Sequence, residues 1–497
     1  MPHVVVGCEI AVPADTPQYP HRLESVRPAP CIDECNVLAK LALAVSTLLA
    51  LAFALIMPPL QLNDEDGHFI RAYLISRGDW IATSAPVLPP SIISFLQRYP
   101  EAIERHRKLA PSEIAGDLNG NTRVTSDMQT PADDSGHAYL TWSILGSSLY
   151  CPPVYFPGSI GIAVARILHF SPLGMLYTAR ICNVLIFVLA LWTAFRLVPA
   201  SRALILALAL MPMTLHQAGG LSADLVTISV SMIGFALVLA LRSQAPPRYG
   251  LALAFIVFTL WALCKSSIWA LPLIVLIPRA AFKHACQWVV FIGGIVLSML
   301  LVLSLWQFAI QHNIQAFRAA RLARGIDISA NLAFILAHPL DFARMLGAFA
   351  STHTNEYIGQ FVGAFGWMRF TLAPWTHIFY LALILFAALF DMKNTPISIA
   401  ERGIFAVVFL SGMLAVHTIL FATDGVLSGG VRHIFITYPY SAGIQGRYFI
   451  PFCFAAFLAI RQNRFAVSPR LVTAIVLYAA TAYNLMSLHA IWKHYYL

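Results

Sequence analysis

The chain has 497 residues, of which 59% are hydrophobic and only 11% are charged, and its mean hydropathy is +0.72. Soluble domains carry about 25% charged residues, so this composition excludes a soluble globular protein and indicates an integral membrane protein. The net charge of +9 is spread over the loops. No block of basic residues forms the kind of surface that binds nucleic acid, so we expect no nucleic-acid partner.

The amino-terminal segment, Met1–Asn36, is polar and contains several prolines. It lacks the basic region, apolar core and small-residue cleavage site of a secretory signal. We therefore interpret it as a cytoplasmic tail. Leu38–Met57 is then an uncleaved first span, because about 20 apolar residues cross a bilayer as a helix.

Continuous apolar runs recur along the rest of the chain and predict about eleven transmembrane helices, whereas barrel strands would alternate apolar and polar residues. Arginine and lysine in short loops set the orientation, because such loops stay on the cytoplasmic side. With the amino terminus inside, the loops that carry Arg242 with Arg248 and Arg461 with Arg464 face the cytoplasm. The carboxyl terminus is then outside.

In the apolar stretch Val154–Leu168, the apolar residues are concentrated on one helical face. We therefore interpret it as a helix lying along the membrane surface. A crossing here would turn every later basic loop outward. The predicted all-α polytopic fold therefore comprises a cytoplasmic tail (1–37), a first transmembrane helix (38–57), an extracytoplasmic loop with juxtamembrane helices (58–179), transmembrane helices 2–7 (180–310), a second extracytoplasmic segment (311–373), and transmembrane helices 8–11 (374–497) with an extracytoplasmic loop (423–446).

A cluster of charged residues follows the first span directly, where carboxylates near hydrocarbon are costly. Asn63 is a good helix N-cap, and the acids Asp64, Glu65 and Asp66 would occupy the first turn, where negative charge is favoured. The cluster therefore has one plain interpretation, which is that it only starts a helix.

The spacing within this cluster supports a second interpretation. Asp64, His68 and Arg71 recur at i, i+4 and i+7, so one helical face would carry an acid, an imidazole and a guanidinium. Such a face suits a general base together with a group that orients it.

The same segment resembles the opening signature of a bacterial family catalogued as domain of unknown function 2142, which is related to the membrane-embedded GT-C glycosyltransferases. The matching residues are Pro59-x-Gln61-x-x-Asp64-Glu65-x-x-His68-Phe69-x-Arg71-Ala72, followed by Gly78. The resemblance runs from about residue 40 to 490 and includes three further stretches, Leu221-Ser222-Ala223-Asp224, Gly363-Ala364-Phe365-Gly366-Trp367 and Gly443-Ile444-Gln445-Gly446-Arg447-Tyr448-Phe449-Ile450-Pro451.

Two positions depart from the family pattern. Asn63 stands where the family commonly has proline, and Met368-Arg369 stand where Leu-Asp is usual. The second departure removes an acid from the loop after Trp367, which argues against a catalytic role for that loop.

The resemblance implies the GT-C layout, in which a large first external loop carries the catalytic acid and the sugar donor is a polyprenyl phosphate. An acceptor hydroxyl must lose a proton as it attacks the anomeric carbon, so a carboxylate base is needed. Asp64 is the predicted base and Glu65 the second candidate, with His68 as a catalytic partner and Arg71 in contact with substrate. Asp66 is interpreted as a helix-starting acid only.

The leaving lipid phosphate departs already charged and calls for arginine or lysine. Arg447, beside Gln445 and Tyr448 and near Arg432-His433, is one candidate. Its alternative role is a snorkelling anchor with an aromatic neighbour at the interface. Lys265 is the other candidate, because it is the only charge within Trp261–Ile277 and intramembrane lysines are commonly functional.

The remaining candidates each have a structural alternative. Asp224 opens a span and either faces the site or stabilises the helix start together with Ser222. Trp367, with His353 and Glu356, either binds sugar or packs at the interface. No cofactor is assigned, and a divalent metal bridging Asp64 or Glu65 with Asp224 is left as an alternative without ligand spacing to support it.

The leading functional hypothesis is an inverting glycosyltransferase of the bacterial inner membrane, with its active site facing the periplasm. Its partners would be a polyprenyl-phosphate sugar donor, a glycan or lipid acceptor of the cell envelope, and the bilayer itself. The alternatives are a flippase for lipid-linked sugars, or a glycan polymerase or ligase. Polar residues gather at one membrane face and no internal repeat is evident, which favours the enzyme over the transporter.

Overall fold

The computed structural model describes residues 32–104, 141–198, 202–242, 247–265, 267–391, 397–425, 443–461 and 467–497. These residues are mostly helical, which confirms the predicted all-α class. The α-helices are α1 (Ile32–Ile56), α2 (Glu65–Ser76), α3 (Pro90–Glu104), α4 (Phe156–Ile167), α5 (Pro172–Leu197), α6 (Arg202–Ala209), α7 (Pro212–Ala218), α8 (Ala223–Leu241), α9 (Gly250–Leu263), α10 (Ala285–Ala309), α11 (Gln311–Leu322), α12 (Ile328–Ala337), α13 (Pro339–Gly363), α14 (Pro374–Phe390), α15 (Ile399–Asp424), α16 (Ile450–Ala459) and α17 (Pro469–Tyr495).

Short elements connect these helices. The 3₁₀ segments are Ser147–Leu149, Pro152–Tyr155, Ile268–Leu276, Arg279–Ala281 and Gly446–Phe449. Two short strands, β1 (Ala364–Phe365) and β2 (Phe370–Thr371), pair antiparallel with Ala364 opposite Thr371.

Six of the described helices are long and apolar enough to cross a membrane, namely α1 over Val37–Ile56, α5, α8, α10, α15 and α17. A seventh is obtained if α12 and α13, which are bent by 104° at their junction, are counted as one span. A multi-pass membrane protein is therefore confirmed, whereas the predicted count of about eleven spans is not confirmed.

Proline accounts for part of this difference in span count. The apolar run Ala203–Ala218 is one of the about eleven spans that the sequence predicts. In the structure it is divided into α6 and α7, of 8 and 7 residues, and Pro212 occupies the first turn of α7. The apolar run Ser266–Ile277 is also one of the about eleven spans that the sequence predicts, and within it Ile268–Leu276 is a 3₁₀ segment that contains Pro272. Proline has no backbone N–H to donate and its ring clashes with the preceding turn, so it interrupts a continuous α-helix.

The amino-terminal boundary also differs from the prediction. Of the predicted cytoplasmic tail, residues 1–31 lie outside the described residues, and α1 already begins at Ile32. The glycine-rich part of the first external loop, 116–136, likewise lies outside them.

Burial separates the core helices from those that face lipid. In α8, 89% of the most apolar stretch is buried inside the protein, whereas in α10 the figure is 11%. Val290, Leu297 and Phe308 of α10 are exposed, as expected of side chains that contact lipid. The core therefore forms around α8 and α5, which also packs against α1 and α4.

The two predicted external segments carry most of the helices that do not qualify as spans. The first contains α2, α3 and α4, and α4 has 12 residues, about 18 Å of helix, which is too short to cross a bilayer. The second contains α11, α12, α13 and the β1–β2 hairpin. The longest of these helices is α13, which has 25 residues.

Candidate functional site

A cavity of about 480 Å³ lies between the start of α2, the segment 143–150, α11, the end of α15 and the segment 443–448. Its wall brings together residues that are far apart in the sequence. The charged and aromatic residues that line it include Asp64, Asp66, His68, Tyr150, Lys265, Arg321, Arg324, Trp367, Asp424, Arg447 and Tyr448. Seven residues predicted from the sequence (Asp64, His68, Lys265, Trp367, Gln445, Arg447 and Tyr448) therefore line one cavity.

Asp64 provides an accessible carboxylate in this cavity. It is the N-cap of α2, in place of the predicted Asn63, and it adopts a left-handed backbone conformation with φ 58°. Aspartate tolerates this conformation better than most residues. Its side chain makes no capping hydrogen bond and is 60% exposed, and its Oδ2 lies 3.5 Å from Nη2 of Arg447. The carboxylate is thus free to meet a ligand.

Glu65, the second predicted base, has a different role. Its carboxylate is fully buried and accepts hydrogen bonds from Nε and Nη2 of Arg180, at 2.9 and 2.6 Å. The backbone N–H of Leu221 donates to Oε1 at 3.0 Å. Because Glu65 does not line the cavity and both its oxygens are bonded, the prediction of a catalytic Glu65 is not supported, and the residue holds helices together.

The sequence did not reveal the role of Arg180, because this residue lies at the start of a predicted span. It is fully buried, and its remaining donors bind carbonyl oxygens at and after the end of α1. Those of Ala54, Met57 and Pro58 lie 3.1, 2.7 and 3.0 Å from its guanidinium nitrogens. The last carbonyls of a helix have no partner within it, so Arg180 both caps α1 and anchors α2 through Glu65.

His68 lines the cavity and is held from behind by Tyr155. Its Nδ1 and the Tyr155 hydroxyl share a hydrogen bond of 2.8 Å, and its ring stacks on that of Tyr150 at 6.2 Å. Burial lowers the pKa of His68 to about 4, despite the opposing charge of Asp64. The imidazole is therefore neutral near pH 7. It can form a hydrogen bond with a ligand but not an ion pair.

Arg71 does not line the cavity, which contradicts its predicted role in substrate binding. Its guanidinium donates to the carbonyl oxygens of Asp79 and Trp80, at 3.2 and 2.5 Å. These bonds hold the turn that follows α2. The predicted common face of Asp64, His68 and Arg71 is not formed, because the helix starts only at Glu65 and Arg71 turns toward its own carboxyl-terminal end.

Asp66 was predicted to be a helix-starting acid only, yet it lines the cavity. Trp142 Nε1 donates to its Oδ2 at 3.1 Å. Burial raises the pKa of Asp66. Besides Asp424, the cavity therefore holds two acids of different character from one helical turn, the accessible Asp64 and the more enclosed Asp66. The sequence could not rank them, because both lie in the same helical turn.

Asp224 lies behind the cavity and organises two cations. Nη1 of Arg447 donates to its Oδ2 at 2.7 Å, and Lys265 forms an ion pair with its Oδ1. The Ser222 hydroxyl accepts from the Asp224 backbone N–H at 3.2 Å, so this pair also caps α8. Asp224 therefore starts α8, as one interpretation from the sequence has it, and it reaches the site only through the two cations that it binds.

Arg447 is 2% exposed, so it is not a snorkelling surface anchor. Gln445 Oε1 accepts from its Nε at 2.6 Å, and Gln217 Oε1 lies 3.5 Å from its Nη1. Its guanidinium also lies over the Tyr448 ring, 5.1 Å from the centroid. These contacts fix the side chain in one orientation at the cavity wall.

Lys265 is held between two aromatic rings, as the Nζ atom lies 5.2 Å from the Tyr150 centroid and 5.1 Å from that of Tyr448. Its backbone has φ 51°, an uncommon value for a lysine. The side chain retains 19% exposure while pairing with Asp224, so one face of the ammonium group stays open to the cavity.

Trp367 lies at the tip of the β1–β2 hairpin and contributes to the cavity wall. Its indole N–H donates to the Leu60 carbonyl at 3.1 Å, which ties the hairpin to the segment before α2. His353 and Glu356 pair with each other on α13, at 3.1 Å, and do not line the cavity. Arg432-His433 lie outside the described residues.

The carboxylates do not fit the bridging metal that the sequence left as an alternative. Both oxygens of Glu65 bind Arg180, and those of Asp224 bind Lys265 and Arg447. Among the residues that the structure describes, no group of three His, Cys, Asp or Glu side chains is arranged to hold a metal ion. The buried acids are thus neutralised by cations of the protein itself.

The structure also reveals a second group of charges, which the sequence did not. Arg321 of α11 pairs with Asp424 of α15 at 2.8 Å, and Arg324 also lines the cavity. No local pattern links α11 to α15, so only the tertiary fold could show this group.

Comparison with known proteins supports the resemblance found in the motifs. A family model described as "Predicted membrane protein (DUF2142)" matches residues 47–456. No curated protein and no solved structure matches the chain. Because the family match spans most of the 497 residues, the protein belongs to the DUF2142 family of membrane proteins.

Proposed function

We propose that the protein is a GT-C-like inverting glycosyltransferase of the bacterial inner membrane. It takes a sugar from a polyprenyl-phosphate donor and transfers it to a glycan or lipid of the cell envelope on the periplasmic side. The observation that carries this proposal is the position of Asp64, an accessible carboxylate with its Oδ2 3.5 Å from Arg447 in a cavity that Lys265 also lines.

The cations suit the donor phosphate. Lys265 and Arg447 share the single buried acid Asp224. Without Asp64, these three residues therefore have a net charge of about +1. Arginine and lysine are the usual ligands of phosphate oxygens. A phosphate that binds Arg447 would compete with Asp64 for Nη2, and it would release the carboxylate to act as a base.

The reaction balances with these groups alone. The acceptor oxygen forms a bond to the anomeric carbon as the bond from that carbon to the phosphate oxygen breaks, and the phosphate leaves with the electron pair. The acceptor proton passes to Asp64. A single displacement inverts the configuration at the anomeric carbon. Because the leaving group is an anion that Lys265 and Arg447 stabilise, no general acid is required.

The membrane arrangement is part of the same proposal. The shorter apolar helices α9, α14 and Gly446–Ala459 would raise the number of crossings to nine or ten, close to the GT-C-like set of about eleven that the sequence predicts. Basic residues such as Arg242 and Arg461 would mark the cytoplasmic side. The cavity, which opens beside α2 and α11, would then face the periplasm.

The decisive experiment uses the purified protein in lipid nanodiscs with a panel of polyprenyl-phosphate hexoses and pentoses. Release of polyprenyl phosphate is followed with and without envelope extract as acceptor. We expect acceptor-dependent release with at least one donor, and loss of release in Asp64→Asn. Absence of release with every donor, together with translocation of lipid-linked sugar across acceptor-free vesicles, would overturn the proposal in favour of a flippase.

A further inference from the structure

The cavity wall carries two arginines in addition to Lys265 and Arg447. Arg321 belongs to the last turn of α11, and Arg324 follows directly after that helix. Both side chains line the cavity, whereas Arg318, one turn earlier on the same helix, does not. These two arginines belong to α11 and the turn after it, and Arg321 pairs with a different acid from the one that Lys265 and Arg447 share.

Arg321 is held in place and still has donors to spare. Its Nη1 binds Asp424 Oδ1 at 2.8 Å, and its guanidinium lies 4.9 Å from the Phe317 centroid. The other Asp424 oxygen, Oδ2, accepts from the Thr423 hydroxyl at 2.8 Å. A guanidinium has several N–H groups in a planar fork, so Arg321 can bind a second anionic group without leaving Asp424.

Arg324 has no ion pair or side-chain hydrogen bond among the residues that the structure describes. Its backbone is nevertheless ordered, because its N–H donates to the Arg321 carbonyl at 2.9 Å and Ile326 N–H donates to the same carbonyl at 3.0 Å. Gly325, with φ 79°, closes this turn as glycine commonly does at the end of a helix. The turn presents an exposed, unpaired guanidinium to the cavity.

The two groups of cations, Lys265 with Arg447 and Arg321 with Arg324, differ in how far acids neutralise them. Lys265 and Arg447 are compensated by Asp224 and Asp64, and Arg321 is compensated by Asp424. Arg324 is uncompensated. The donor carries its phosphate to the first group in the proposed function, so the second is free for a negative charge on the other substrate.

We propose that Arg321 and Arg324 form an acceptor subsite, and that the acceptor is a glycan bearing a carboxylate or phosphate near the hydroxyl that is glycosylated. This inference rests on the proposed function, because it names the class of its second substrate. A glycan is favoured over a lipid headgroup, because Gln311 and His312 at the start of α11 and Arg324 after its end are polar and exposed, as expected of a wall that opens to water.

The test measures binding without any donor, so that it does not depend on transfer. The full-length protein in detergent is titrated with a tetrasaccharide of alternating glucuronate and N-acetylglucosamine, and separately with uncharged chitotetraose. We expect the charged tetrasaccharide to bind more tightly, and its affinity to fall as salt rises. Arg324→Gln is expected to weaken this binding about tenfold, since a hydrogen bond to a charged group is lost, while chitotetraose binding stays unchanged.

Arg318→Gln is the matched control, because it removes the same charge from α11, the helix that precedes Arg324, at a position outside the cavity. The inference would be overturned if Arg324→Gln and Arg318→Gln lost equal affinity for the charged tetrasaccharide. It would also be overturned if the wild type bound the charged and uncharged tetrasaccharides equally well. Displacement of the bound charged tetrasaccharide can also be measured. If phosphatidylglycerol micelles displace it at a lower concentration than the free tetrasaccharide does, the inference is overturned in favour of a lipid headgroup. If Arg324→Gln alone weakens binding but no donor is ever consumed, the subsite stands and the proposed transferase reaction fails.

Discussion

Glu65 and Arg180 form a fully buried ion pair, in which the guanidinium donates to both carboxylate oxygens at 2.9 and 2.6 Å. The pair joins the first residue of α2 to α5 and, through the other donors of Arg180, to the end of α1. It therefore fixes the backbone that carries the neighbouring Asp64. One acid of the cluster positions the other.

Glu65→Gln is expected to destabilise the protein by about 3–5 kcal/mol, because breaking one partner of a buried ion pair leaves the other charge uncompensated. The measurement is the thermal unfolding midpoint of the detergent-solubilised protein. Glu401→Gln is the control, since Glu401 pairs with Arg242 at a partly exposed site and should cost no more than about 1 kcal/mol. An unchanged midpoint with abolished sugar transfer would return Glu65 to the catalytic candidates.

Asp64→Asn is expected to leave the unfolding midpoint unchanged, because the side chain is 60% exposed and makes no capping bond. Transfer should fall by about 10²–10⁴-fold, the usual contribution of a positioned general base. Donor turnover is the measurement, and Asp341→Asn is the control, as Asp341 pairs with Arg344 away from the cavity. Wild-type turnover in Asp64→Asn would remove this residue from the mechanism.

Arg447→Lys keeps the positive charge but loses the planar fork that binds Asp224, Gln445 and Asp64 together. We expect the KM for the donor to rise about tenfold or more, while the KM for the acceptor stays within about twofold, because one hydrogen bond to a charged group is worth about 1.5–3 kcal/mol. Steady-state kinetics with each substrate varied in turn provide the measurement. A rise confined to the acceptor KM would place the phosphate elsewhere in the cavity.

His68 should make stability depend on pH in a defined window. Its pKa is about 4 in the folded protein, against an ordinary value near 6.5, so the unfolded chain binds the proton first as the pH falls. Stability is therefore lost between about pH 6.5 and 4, by at most roughly 3.5 kcal/mol at about 1.4 kcal/mol per pKa unit. The unfolding midpoint of His68→Gln should fall less steeply over this window than that of the wild type. Parallel curves would contradict the burial argument.

The helical class and part of the site follow from local sequence. Long apolar runs define spans wherever proline does not interrupt them, and charges placed at span ends, such as Lys265 and Arg447, have few environments other than a polar cavity. The span count was less predictable, because Pro212 and Pro272 break apolar runs that hydropathy alone reads as crossings.

The sequence could not show which of the charged side chains are buried, or which partners they bind. Asp64 and Glu65 are adjacent acids with the same chemistry, and only the tertiary position of Arg180 makes one structural and leaves the other free. Arg321 and Asp424 come from separate helices with no motif linking them. Such pairings depend on which helices pack together, and a single sequence does not encode that in any local pattern.

Gly446 offers a test of how the Arg447 segment is positioned. Its N–H donates to Gln360 Oε1 at 2.8 Å, and it packs so closely on α13 that an added Cβ would overlap the Tyr357 carbonyl oxygen and lie 2.7 Å from Phe361 N. Gly446→Ala must therefore push the segment away from α13 and move Arg447 with it. We expect a loss of about 1–3 kcal/mol of stability, as for other overpacked sites, and weaker donor binding.

Gly347→Ala on the same helix α13 is the matched control for this substitution. An added Cβ there meets nothing within 4 Å, so alanine should stabilise the helix by about 0.5–1 kcal/mol and leave donor binding unchanged. Unfolding midpoints and donor KM values of the two variants are compared side by side. If Gly446→Ala lowers stability without changing the donor KM, the close contact serves only packing, and Arg447 holds its position through Asp224 and Gln445 instead.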